Sequence, residues 1–156
     1  MKKSPYDKNK LLSVIQSASK HLNYGIKLKV PAVKSSIRRI VIAGMGGSAI
    51  SGMVIRDILT DYSDVPIFVF SRESIPFELS SDDLFIPISY SGKTGETLSM
   101  IDSCNAPTQI GISSIENFVK RTVTVPSGLP PRYAFYYIFS SLVKLISVNL
   151  CLPNLM

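Results

Sequence analysis

The chain has 156 residues, 46% of them hydrophobic and 18% charged, with a formal net charge of +6. That length and balance fit one folded domain with one sizeable core and exclude a disordered chain. The basic residues are scattered, from Lys2, Lys3, Lys8 and Lys10 to Lys27, Lys29, Lys34, Arg38 and Arg39, with no interleaved aromatic residues, so a solvated basic surface and no nucleic-acid partner are expected.

Residues 7–22 carry Leu11, Leu12, Val14, Ile15 and Leu22 near helical spacing and predict a leading amphipathic helix, with His21 at its surface. The polar, charged start lacks the apolar core of a secretory leader, so a cytoplasmic location is expected. Cys104 and Cys151 are distant in sequence and His21 is the sole histidine, so reduced thiols and no metal site are expected. Residues 25–36 read as a basic, proline-containing connection, dividing the chain into an N-terminal helix and connection over 1–36 and a single domain over 37–156. Residues 37–43 read as the first central strand and, after Arg38 and Arg39, are apolar on both faces, as a buried parallel strand requires. A glycine-rich turn and a helix over 48–59 follow, then a strand over 65–70 and a polar surface loop over 71–83. Residues 84–89 form the third strand and 94–103 a helix; a strand over 108–112, a brief helical turn over 115–119 and a last strand over 122–125 complete the pattern. This alternation predicts right-handed crossovers and an α/β fold, a three-layer, doubly wound parallel sheet with helices on both faces. The closing segment, 133–152, is apolar nearly all round and needs cover on several sides. Ser140, Ser141, Lys144, Ser147 and Asn149 interrupt it, which argues against a membrane span. A buried helix at a subunit or domain interface is expected, and with it a dimer or higher assembly.

Two turns carry the chemistry. Gly44-Met-Gly-Gly-Ser48 joins the first strand to a helix, and Ser91-Gly-Lys-Thr-Gly-Glu-Thr-Leu98 opens a second helix after the third strand. Glycines let backbone amides approach a ligand, and a helix N-terminus favours an anion. Turns after neighbouring strands of an open parallel sheet face one crevice, so the two can converge on a single phosphate. The full G-x-G-x-x-G spacing, an acidic residue for a ribose and G-x-x-x-x-G-K-[ST] are all missing, which disfavours nicotinamide and nucleoside triphosphate ligands. The competing reading of Ser48 and Thr94 is as helix caps.

At Gly44-Met-Gly-Gly-Ser-Ala-Ile50, Ser89-Tyr-Ser-Gly-Lys-Thr-Gly-Glu-Thr97 and Val125-Pro-Ser-Gly-Leu-Pro-Pro-Arg132 the chain resembles the sugar isomerase (SIS) domain. The resemblance is to the amino-terminal half of the archaeal-type bifunctional phosphoglucose/phosphomannose isomerases and implies a flavodoxin-like fold. It implies that Ser48, Ser89, Ser91 and Thr94, with the amide of Gly47, hold the phosphate of a phosphorylated hexose, and that Arg132 stabilises the enediolate of aldose–ketose isomerisation. No cofactor is implied. In the family's S-Y-S-G-N-T-E-E-T pattern, Lys93 replaces asparagine and Gly95 the first glutamate, while Ser51 and Met53 stand where glycine and aspartate are commoner. Lys93 could add charge near the phosphate or point into solvent. Isomerisation also needs a base and a group to open the sugar ring, and residues 133–156 contain no Asp, Glu or His. In the family both come from a second SIS domain or a neighbouring subunit. Glu96 is the alternative base within this chain, although an acidic residue in a helix's first turn ordinarily serves the dipole. The readings are therefore an isomerase half, completed by a second SIS half or as a homodimer, and a phosphosugar-binding module without catalysis.

Overall fold

Five strands, β1 (Arg39–Gly44), β2 (Ile67–Phe70), β3 (Asp83–Ile88), β4 (Gly111–Ser113) and β5 (Thr122–Thr124), pair in parallel in the order β2-β1-β3-β4-β5. The helices are α1 (Leu11–Gln16), α2 (Ala18–Ile26), α3 (Gly47–Leu59), α4 (Gly95–Ser103) and α5 (Phe135–Asn149). This computed structural model describes residues 11–33, 36–72 and 74–155; residues 7–10 of the expected leading helix lie outside the described residues.

Both central strands read as continuous apolar runs because both of their faces are covered. Ile40 and Ile42 of β1 join one core with Ile55 and Leu59 of α3 and with Ile138, Leu142 and Leu145 of α5. Val41 and Ala43 point the other way, into a second core with Phe85 of β3 and Met100 of α4. Three layers result: α3 and α5 on one side of the sheet, α4 on the other. Register sets Ile40 opposite Leu84 and Gly44 opposite Ile88, so β1 and β3 end level. The strand order reverses direction between these two strands, and the crevice beyond their carboxyl ends is where such sheets bind ligands.

Several expectations are corrected. The leading helix is broken at Ser17, whose hydroxyl donates back to the Ser13 carbonyl at 2.8 Å, and serine back-bonding of this kind bends helices. Gly25 does not begin the connection. It lies within α2, pressed so closely on Ser140 of α5 that no Cβ would fit. His21 is buried, not a surface residue: at 8% exposure its ring stacks on Tyr137 with centroids 4.2 Å apart. Burial, and then the charge of Lys20, hold its pKa below the ordinary histidine value. The segment after β4 forms no helical turn, since Asn117 adopts φ 58° and Thr122 Oγ1 bonds the amide and carbonyl of Val119. The loop before β3 also does more than cross the surface, because Ile75, Phe77 and Leu79 close the second core beside α4.

The closing helix is shorter than expected, and much of its outer side is covered within the chain. Helix α2 lies along it, and Leu28, Val30 and Val33 of the connection pack against the same core. Asn149 fastens the two segments, accepting from the Val33 amide at 2.7 Å and donating to the Pro31 carbonyl at 3.0 Å. Phe139 and Val143 remain half-buried beside an apolar hollow that they share with Leu22, Ile26, Ile58 and Leu155. No helix among the described residues is long and apolar enough to cross a membrane.

Candidate functional site

The first turn follows from glycine. Gly46, at φ 52° and ψ −122°, caps α3 with backbone alone, and no side chain bonds the free amides of that helix. The Gly47 amide therefore has no intrahelical partner, and Ser48 sits one residue further on at 8% exposure. Ser48 does not cap the helix. At Gly44, a Cβ would stand 3.0 Å from the Ile88 carbonyl oxygen and 3.0 Å from the Ser48 Cβ. Only a bare backbone lets the first turn approach the end of β3 so closely.

The second turn is tied on several sides. The Gly92 amide donates to the Ser89 carbonyl at 3.1 Å, with Gly92 at φ 66°. The Ser91 hydroxyl accepts the Lys93 amide at 3.2 Å. Thr94 occupies the N-cap of α4, but its side chain makes no cap bond and instead meets the Ser89 hydroxyl at 2.9 Å. Neither Ser48 nor Thr94 is thus a side-chain cap. Ser89 is only 1% exposed, so its hydroxyl orients that of the half-buried Thr94. Lys93 is exposed, and Glu96 is half-buried in the first turn of α4, where its charge favours the helix dipole.

Tyr90 carries a role that sequence reasoning missed. Its hydroxyl donates to the Pro126 carbonyl at 2.9 Å and accepts the Leu129 amide at 3.0 Å. The third motif is thereby clamped to the second. Arg132 follows on a short 3-10 helix (Pro131–Tyr133) and is exposed. The structure thus brings Gly47, Ser48, Ser89, Ser91 and Thr94 to neighbouring strand ends, while the tether from Tyr90 ends at Leu129, three residues before the exposed Arg132. A signal for Tyr90 was present, since an aromatic residue between the two serines of the motif has a hydroxyl that burial obliges to find partners. Among the described residues no group of three His, Cys, Asp or Glu side chains could hold a metal. Cys104 and Cys151 are free, and burial pushes the Cys104 thiol up.

No protein-family profile matches the chain. Among solved structures, the C-terminal domain of glucosamine-fructose-6-phosphate aminotransferase from Francisella tularensis superposes with a TM-score of 0.70 at 17% identity, over 99% of this chain and 51% of that one. A Methanococcus jannaschii protein with an inferred 3-hexulose-6-phosphate isomerase function superposes with a TM-score of 0.54 at 20% identity, over 92% and 77% of the respective chains. Strand order, layering and these likenesses define an SIS-type, flavodoxin-like α/β domain.

In sequence the chain is related to the bifunctional phosphoglucose/phosphomannose isomerases. The protein of that name from Caldicellulosiruptor bescii is 33% identical over 139 residues, 83% of this chain and 41% of the relative. That from Thermoplasma volcanium is 36% identical over 111 residues, 68% of this chain and 36% of the relative. The chain therefore spans about two fifths of the length of these relatives. A D-glucosamine-6-phosphate 4-epimerase from Sulfolobus acidocaldarius is 27% identical over 135 residues.

Proposed function

We propose that this chain is the phosphosugar-binding half of an aldose–ketose isomerase that interconverts fructose 6-phosphate with glucose 6-phosphate or mannose 6-phosphate. The observation that carries the proposal is the meeting of two hydroxyl-bearing turns, each opening a helix, at the level ends of β1 and β3. Ser48, Ser91 and Thr94 donate to phosphate oxygens, Ser89 sets the Thr94 hydroxyl, and the Gly47 amide adds a donor at the positive end of α3. Such a cradle takes a dianion without needing an arginine. The names of the sequence relatives support an isomerase, and the different reaction of the epimerase relative indicates that a phosphosugar is the shared requirement.

Isomerisation moves a proton between the first two sugar carbons through an enediolate. Arg132 supplies positive charge for that intermediate, where a positioned charge lowers the barrier most. The base and the ring-opening group come from a second SIS half or from the partner subunit of a homodimer, with Glu96 as the candidate within this chain. The setting is cytoplasmic carbohydrate metabolism, in glycolysis or gluconeogenesis. The place of Glu96 in the first turn of α4, where its charge serves the helix dipole, favours, as the second reading, a module that binds phosphosugars without converting them. Fructose 6-phosphate mixed with the protein, alone and with a separately produced second SIS half, separates the two: aldose formed by the chain alone excludes the pure binding module. Ser89→Ala with Thr94→Ala should weaken glucose 6-phosphate binding in calorimetry, the lost bond from Thr94 to the dianion being worth about 1.5–3 kcal/mol. Unchanged affinity would remove this site.

A further inference from the structure

A cavity of about 450 Å³ lies between α2 and α5, lined by Ser19, Lys20, Asn23, Tyr24, Lys27 and Tyr137. Five of the six come from α2 and the residue after it, where Lys20, Asn23, Tyr24 and Lys27 recur every three or four positions and so share one face. The two lysines lie about 10 Å apart along the helix axis. No lining residue is acidic, and α2 has no acidic residue at all. Two exposed ammonium groups thus border one hollow with no ion pair to either among the described residues, an arrangement the packing of α2 on α5 does not require.

The floor is aromatic and held in place. Tyr137 stacks on His21 at 4.2 Å and meets Tyr24 edge-on at 5.2 Å. The Tyr24 hydroxyl donates to the Thr124 carbonyl at 3.3 Å, which fixes the cavity at the carboxyl end of β5. Burial, then Tyr24 and Tyr90, push the Tyr137 hydroxyl up, so it remains a neutral donor. The buried His21 beneath it is kept neutral as well. Strand β5 lies two places from β3 in the sheet, about 10 Å away across the strands, so the anchor of Tyr24 and the second turn lie at the same, carboxyl end of the sheet.

We infer that this cavity is a second anion site, taking a ring-bearing organic phosphate with its phosphate between Lys20 and Lys27 and its ring against Tyr24 and Tyr137. Asn23 and Ser19 supply further donors, and the aromatic faces suit the apolar face of a sugar ring. This site stands independently of the two turns.

Calorimetric titration of the full chain with glucose 6-phosphate tests it, with inorganic phosphate as the ringless comparison. The wild type should bind glucose 6-phosphate at two sites. Lys20→Ala with Lys27→Ala should weaken one of them at least tenfold, and Lys20→Arg with Lys27→Arg should retain it, circular dichroism confirming that both variants are folded. Ser89→Ala with Thr94→Ala should leave this site intact. A single site that survives loss of both lysines would overturn the inference. Equal affinity for inorganic phosphate would overturn the assignment of the ring to the tyrosines. A single site abolished by loss of the lysines, and indifferent to Ser89 and Thr94, would uphold the cavity and count against the two-turn reading.

Discussion

Gly44→Ala probes whether backbone contact at the end of β1 holds the two turns together. The added methyl would lie 3.0 Å from the Ile88 carbonyl oxygen, 3.0 Å from the Ser48 Cβ and 3.4 Å from the Ser48 carbonyl carbon. These atoms are backbone or the first side-chain carbon, so none can swing aside as a flexible side-chain tip would. Overpacking of this kind costs about 1–3 kcal/mol. Restricting the unfolded chain by replacing glycine returns about 0.4–1 kcal/mol, and the expected net loss is about 1–2 kcal/mol. At this chain length the loss corresponds to a fall in Tm of roughly 2–8 °C. Urea unfolding followed by circular dichroism measures it. Gly95→Ala is the stability control: nothing lies within 4 Å of its would-be Cβ, and it should be neutral or slightly stabilising. Glucose 6-phosphate binding should fall in Gly44→Ala because Ser48 is pushed away from β3. A Gly44→Ala protein as stable and as avid as the wild type would refute the role of this contact.

Gly47→Ala also places its methyl in open space, so it should keep the stability of the wild type while weakening glucose 6-phosphate binding in calorimetry; unaltered binding would mean that no ligand rests against that amide. Asp83 is fully buried and bonded by Arg39 at 2.8 Å and by the Ser80 amide at 2.7 Å. Burial pushes its carboxyl up, but the bonds from Arg39 and Ser80 outweigh it and the pKa lies below the ordinary value of 3.8. Its stabilisation is therefore complete above about that pH and is lost as pH falls through the folded value. Asp83→Asn, leaving Arg39 without its partner, should cost about 3 kcal/mol at neutral pH and flatten the acid limb of the urea midpoint between pH 5 and 2. His21 has a folded pKa below 6.5, so stability should decline as pH drops from 7 to 5. His21→Phe, which keeps a ring against Tyr137, should remove that decline.

The sheet was legible because its strands are short apolar runs bounded by glycine, proline and serine, and the two turns were legible because glycine and hydroxyl residues sit where strand meets helix. Long-range packing was not. The burial of His21 depends on α2 meeting α5, more than a hundred residues later, and a period of 3.6 says which residues share a face without saying what covers it. The same limit hid much of the cover of α5, which comes from α2 and a connection that reads as plain basic loop. The break at Ser17 reflects a local hydroxyl competing with the helix, too fine for apolar spacing to register. At the site, both turns were found from residue types, but the hydroxyl contact of Ser89 with Thr94 and the clamp from Tyr90 are matters of orientation that a linear pattern does not carry.

The embrace of α5 by α2 bears on how the protein is made. Until the ribosome has released residues 135–149, one side of the sheet lacks a principal helix and α2 has nothing to lie upon. The nascent chain must carry α2 unmated until then, exposing apolar surface that invites chaperones during that interval.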